Sequence, residues 1–194
     1  MAAQPTGRRD QITDAAAILF NEHGYDQTSM DDIAAAVGIR KPTLYHHVSS
    51  KAQILGWIHE AAIAMVYEPL QGYLAQGMAP DEVILAVAKD TFGMFAHNLG
   101  YLRIFSENHR NLDPEVRSVV VAKRDEYFRM LVSVLDEGCR AGMFQIENTR
   151  VAAMAFFGMV NWIYQWYSPD GEISADELAE QFYRIFTDGI RVRA

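Results

Sequence analysis

An all-α fold is predicted for this chain on three observations. Apolar residues recur at helical spacing along most of its length, glycines and prolines fall where helices would start and stop, and no run alternates convincingly enough to be a strand. The pattern predicts about nine helices. They divide into a flexible arm over residues 1–7, a three-helix head over 8–51 and a helical body over 52–194. With 194 residues, half of them apolar, the chain can bury a substantial core.

Ile12, Ala15, Ala16, Leu19 and Phe20 mark one face of a first helix, and Gly24 stops it. Met30, Ile33, Ala34 and Val37 mark a second helix of about two turns, with Thr28 and Ser29 as capping candidates and Gly38 as its end. A third runs from Arg40 to Val48. Pro42 lies near its start, where a missing N–H costs nothing, and Leu44 and Val48 anchor it inward. Ser49 and Ser50 can cap a fourth helix from Lys51 to about Glu68, with Ile54, Leu55, Ile58, Ala62 and Met65 inside and Pro69 disturbing its end. Past the turn at Gly77 to Pro80, helical patterns cover Asp81 to Asn98, Tyr101 to Asn108, Asp113 to Ala141, Asn148 to Tyr167 and Ser174 to Ile190. Asp113-Pro114 is a cap before a first-turn proline, Ser174 and Glu177 have capping-box spacing, and Ser168-Pro169-Asp170-Gly171 is a turn.

Composition excludes several classes. A formal net charge of −8 argues against indiscriminate coating of nucleic acid, so any DNA contact must be local. Cys139 is the single cysteine, which leaves no intrachain disulfide and no multi-cysteine zinc site, and it reads as a small core residue. Neither a signal-peptide pattern nor an apolar run of about 18 residues is found, so the expectation is a cytoplasmic protein without a membrane span. No P-loop, GxSxG, HExxH or dinucleotide glycine fingerprint is present, so no catalytic residues, cofactor or metal are expected.

The chemistry concentrates on the third helix. With Leu44 and Val48 inward, helical spacing sends Pro42, Thr43, Tyr45 and His46 outward or sideways, with Arg40, Lys41 and His47 on the flanks. Hydroxyl, phenol, imidazole and basic groups on one short helix suit base edges and phosphates. His46 and His47 are adjacent and point about 100° apart, which does not suit a shared metal.

Gly24-Tyr25 and Thr28, Ile33-Ala34, Val37-Gly38, Lys41, Thr43-Leu44-Tyr45-His46-His47 and Ser50-Lys51 together resemble the head of the TetR family of repressors. That resemblance implies phosphate contacts by Thr28, Tyr45, His47 and Lys51. It implies groove contacts by Arg40, Lys41, Pro42, Thr43 and His46, with Tyr25 bracing the head. Three positions depart from the family pattern: Arg40 replaces a serine-like cap, Pro42 a glycine and Val48 a phenylalanine. Pro42 lacks an N–H that could meet a phosphate, while Arg40 adds a side chain able to reach a guanine or a phosphate.

In the body, the helix from Asn148 to Tyr167 is apolar nearly all round, with Val151, Ala155, Gly158 and Trp162 on one stripe and Ala153, Phe157, Val160 and Tyr164 on another. Its own core can cover one stripe and a second subunit the other, beside Leu178, Phe182, Ile185 and Phe186. The resemblance likewise implies a homodimer through the last two helices. Two heads held rigidly can then reach successive major grooves of a double-stranded operator, roughly 34–36 Å apart.

A small-molecule effector is expected in the body. Its candidate lining is Phe92, Phe95, Phe105, Met130, Phe157, Asn161, Trp162 and Gln165, chosen as bulky apolar groups with two amides that need partners if buried. A ligand or a polar contact across the dimer would serve those amides equally. The stretch from Asn161 to Gly171 resembles a TetR branch that includes acyl-CoA and other CoA-thioester sensors. Arg103, Arg110, Arg117, Lys123, Arg124 and Arg129 could face a CoA phosphate, although a solvated helix face is the simpler reading. The function expected is a transcriptional repressor released from a palindromic operator by ligand. The alternatives are a helical adaptor without ligand control and an enzyme with an unrecognised site.

Overall fold

A computed structural model describes residues 7–108 and 111–192, with the side chains at 95–100, 102, 106, 107 and 164 outside the described set. The described residues form α1 (Arg8–His23), α2 (Met30–Val37), α3 (Lys41–His47), α4 (Lys51–Ala75), α5 (Pro80–Glu107), α6 (Pro114–Arg140), α7 (Thr149–Asn161), a 3-10 turn (Trp162–Gln165) and α8 (Ala175–Ile190). The all-helical prediction holds. The one extended pairing among them is an isolated antiparallel bridge between Phe144 and Arg191.

The chain forms two compact units: one takes the chain up to Ile63 together with Asn98–Val121, the other Ala64–His97 together with the chain from Ala122 onward. In the first, Ile12, Ala16 and Phe20 of α1, Ile33 of α2, Leu44 of α3 and Ile54, Leu55 and Ile58 of α4 are buried and make the core. In the second, Leu70, Val83, Ile84, Phe92, Leu131, Leu135, Ala153, Phe156 and Val160 do so. Gly138 sits where an added Cβ would overlap the Phe144 ring, so this helix face must be bare for the ring to close over it.

Helix ends obey local chemistry. Ser29 caps α2: its hydroxyl accepts from the Asp32 N–H at 3.2 Å, and the Asp32 carboxylate accepts from the Ser29 N–H at 2.8 Å. Gly38 closes α2 at φ 72°, a left-handed conformation that favours glycine, and the Ile39 N–H returns to the Ala34 carbonyl at 2.9 Å. Ser50 and Gln53 start α4, the Ser50 hydroxyl accepting from the Gln53 N–H at 3.1 Å and the Gln53 amide oxygen accepting from the Ser49 N–H at 2.7 Å.

Three boundaries differ from the expectation. First, α4 runs through Pro69 to Ala75 instead of ending near Glu68. Burial of Leu70 and a hydrogen bond from Tyr73 to Asp90 hold the turns that the proline alone would loosen. Second, the two patterns on either side of Gly100 are one continuous α5, because Tyr101 and Ile104 beyond the glycine are buried. Third, α7 ends at Asn161 and tightens into the 3-10 turn instead of continuing to Tyr167. The run from Trp162 to Tyr167 is rich in residues of modest helix propensity, and Pro169 biases Ser168 away from helix.

Candidate nucleic-acid interface

α2, the Gly38-Ile39 turn and α3 form a helix-turn-helix within the first unit. Leu44 and Val48 are buried as their spacing predicts, and this fixes the orientation of α3. Arg40, Lys41, Pro42, Thr43, Tyr45, His46 and His47 are all exposed, with Tyr45 at 47%. Seven of the nine residues expected to meet DNA thus stand on the accessible surface of one short segment. Arg40 is the N-cap residue but makes no side-chain capping bond, so its guanidinium is not committed to the helix start. Lys41 donates to Asp31 at 2.7 Å, and that hydrogen bond and charge hold its ammonium above the ordinary lysine value.

Thr28 and Lys51 are placed differently. Thr28 is buried, its hydroxyl near the carbonyls of Gly24 at 2.9 Å and Leu19 at 3.3 Å. Lys51 is half-buried and donates to the carbonyls of Tyr25 at 2.6 Å, Thr28 at 2.8 Å and Asp26 at 3.4 Å, with its ammonium 4.4 Å from the centre of the Tyr25 ring. Tyr25 in turn packs edge-on against Phe20 at 5.1 Å, and burial, followed by Asp113 and Asp26, raises its hydroxyl pKa. Lys51 therefore clamps the turn between α1 and α2. Sequence spacing found this lysine but not its partners, because carbonyls 23 to 26 residues away leave no local signal.

Other ties were not foreseen. Tyr101 of α5 donates a hydrogen bond to Asp14 of α1. Arg9 pairs with Glu60 of α4 at 2.5 Å and lies 4.8 Å from the Trp57 ring centre. A cavity of about 320 Å³ in the same unit is lined by the last turn of α1 from Phe20 to His23, by Gly24 and Tyr25, and by Arg103, Ile104 and Asn108. None of the expected effector residues lines it.

The expected effector residues are distributed over both units. Phe105 belongs to the first unit, with its ring 5.0 Å from that of His59. Phe92 is fully buried in the second unit against Phe182 at 5.2 Å, and half-buried Phe157 lies 5.4 Å from Tyr127, while Met130 is half-buried one turn beyond Tyr127. Asn161, Trp162 and Gln165 are exposed, so the amides are not the buried groups in need of partners that they would be on a fully covered helix. The side chain of Phe95 lies outside the described set.

The second unit also presents an apolar face. Val151 and Met154 of α7 are each 60% exposed, Trp162 is 61% and Ile185 of α8 is 64%. The opposite stripe of α7, with Ala153, Phe156 and Val160, is buried, and Phe156 meets Phe186 of α8 edge-on at 5.2 Å. One stripe is thus covered by the chain itself and the other is left for another surface.

A helix-turn-helix carrying an exposed polar reading helix, joined to a helical unit with a bare apolar face, is the architecture of a dimeric DNA-binding regulator. Residues 12–56 match the family described as bacterial regulatory proteins, tetR family, and residues 77–190 match the tetracyclin repressor-like C-terminal domain. The chain belongs to the TetR family. It is 27% identical over 190 residues to the HTH-type transcriptional repressor KstR2 of Mycolicibacterium smegmatis, an alignment covering 97% of this chain and 93% of that one. Among solved structures it resembles the TetR family regulator PfmR of Thermus thermophilus (TM-score 0.85, 31% identity, 91% of this chain and 97% of that one). It also resembles AibR in complex with isovaleryl coenzyme A and operator DNA (TM-score 0.83, 28% identity, 92% and 97%). No helix among the described residues is long and apolar enough to cross a membrane.

Proposed function

We propose that this regulator is a cytoplasmic repressor without catalytic activity, released from a palindromic operator by an apolar acyl effector, most simply a CoA thioester. The observation that carries the reading is the exposed row on α3, held at a fixed angle by buried Leu44 and Val48. In this reading Arg40, Lys41, Thr43 and His46 face the major groove and Tyr45 and His47 meet phosphates, while Thr28 and Lys51 hold the head in shape. Pro42 contributes shape without a backbone donor. The thioester class is supported by the likeness to AibR, whose structure holds isovaleryl coenzyme A and operator DNA together.

The effector acts through its differential affinity for the DNA-competent conformation and another one. Calorimetric titration of the dimer with a palindromic operator, with and without saturating isovaleryl-CoA and longer acyl-CoAs, tests this. Loss of operator affinity on adding a thioester is expected; affinity unchanged across the series rejects thioester control while leaving DNA binding standing.

A further inference from the structure

The two acidic residues in the first turn of α2 have different duties. Asp32 is committed to the helix itself, its Oδ2 accepting from the Ser29 N–H at 2.8 Å and from the Ser29 hydroxyl at 2.7 Å. Asp31 instead reaches across to α3, ten residues along the chain, where its Oδ2 accepts from the Lys41 ammonium at 2.7 Å. Both side chains are accessible, Asp31 at 62% and Lys41 at 47%. An ion pair so exposed adds little to stability, because water screens it and two side chains lose freedom to make it. Its position matters more. Arg40 and Lys41 carry the permanent positive charges of the exposed α3 row, and Asp31 sets a carboxylate against one of them. On a face built for affinity alone such an acid is a liability, since it repels phosphate and neutralises the lysine beside it.

The gain lies in geometry. A lysine is a point charge on a flexible stem and by itself tells a phosphate from a base edge poorly. With one proton of the Lys41 ammonium directed at Asp31, the other two are held in a fixed relation to it. We propose that Asp31 is a positioning residue that sets sequence preference: it holds Lys41 off the phosphates and aims its two remaining protons at the O6 and N7 acceptors of one guanine in the major groove. Adenine presents N7 beside an amino donor, so the same two protons would meet one acceptor and one donor there. The hydrogen bond and charge of Asp31 also keep the ammonium protonated, so both reading protons are present throughout the neutral range. The inference rests on the reading of α3 as the DNA face and names one determinant of what that face selects.

Duplexes enriched by the native chain from a random-sequence pool supply the operator. Anisotropy titrations from low to high salt then compare it with its single base-pair variants and with a scrambled duplex. Asp31→Asn keeps the shape of the side chain and removes its charge. It should melt at the native temperature, bind the scrambled duplex about tenfold more tightly and steepen the salt slope by about 1 per head, as the released lysine meets a phosphate. Preference for guanine at one symmetric pair of operator positions should fall about tenfold. Lys41→Gln should lose the same preference at the same positions, and adding Asp31→Asn to it should lose no more. Asp31→Ala, without even a neutral acceptor, should repeat the result of Asp31→Asn. An Asp31→Asn chain that gains equally on operator, variants and scrambled duplex shows a repulsive charge alone and overturns the proposal. Lost preference at positions that Lys41→Gln leaves intact overturns it too. Failure of the native chain to enrich any duplex is a different result, which defeats the DNA-face reading and this proposal with it.

Discussion

Tyr101 of α5 and Asp14 of α1 share a hydrogen bond between a buried phenol and a carboxylate, tying the reading head to a helix that continues through residues of both compact units. Burial and Asp14 raise the phenol pKa, so the donor proton is retained throughout the neutral range.

Tyr101→Phe keeps the ring and removes the donor, leaving Asp14 without it. A loss of about 1.5–3 kcal/mol, the range for hydrogen bonds to charged groups, is expected in urea unfolding. If effector binding shifts α5, the variant should also release the operator less completely at saturating effector. Unaltered stability together with unaltered release would remove this bond from the coupling.

Lys51 and Arg40 make opposite predictions. Lys51→Ala removes a clamp on three carbonyls, so it should lower stability by about 2 kcal/mol and weaken operator binding equally at every salt concentration. Arg40→Ala should leave stability alone and reduce the salt slope of operator binding by about 1 if the guanidinium meets a phosphate. Anisotropy titrations from low to high salt separate the two. A slope change in Lys51→Ala would return that lysine to the DNA contact set.

The pH behaviour of Asp90 has a definite sign. Its folded pKa is raised, so its contribution to stability is fully present below the unfolded carboxylate value and is lost as pH rises through the folded one. Asp90→Asn retains an acceptor for Tyr73 and removes the half-buried charge. It should therefore melt higher than the native chain at neutral pH, with the advantage vanishing in acid. Melting curves from pH 3 to 7 read this directly, and a constant difference across that range would show that the charge is not the cause.

The bare stripe on α7 and α8 predicts the assembly. Met154→Glu combined with Ile185→Glu places like charges on a face that two identical subunits would press together. Sedimentation should show monomers with native helical content, and affinity for the palindrome should fall by several orders of magnitude as the second head is lost. A dimer that survives both changes would move the subunit contact elsewhere.

Legibility of the sequence tracked the range of the interactions. The head was readable because its signals are local: Ser29 three residues before Asp32, Gly38 in the left-handed conformation, and Leu44 and Val48 one turn apart. The helices run through Pro69 and past Gly100 because the burial of Leu70, Tyr101 and Ile104 outweighs local preference. The exposed row on α3 was legible as a row of residue types, yet only the fold showed that Thr28 and Lys51 are turned inward. The effector residues were the least legible. Aromatic and methionine positions look alike along a sequence whether they fill a core, line a cavity or face a partner, and Phe92, Phe157 and Trp162 have quite different exposures.

The apolar stripe of α7 also bears on how the cell reads this regulator's abundance. A head with so few basic groups holds DNA weakly on its own, so occupancy of a two-site operator depends on pairs of chains. Below the concentration at which pairs form, occupancy grows with the square of chain number. A modest fall in synthesis would then empty the operator much as an effector does, making expression level a second input to the same switch.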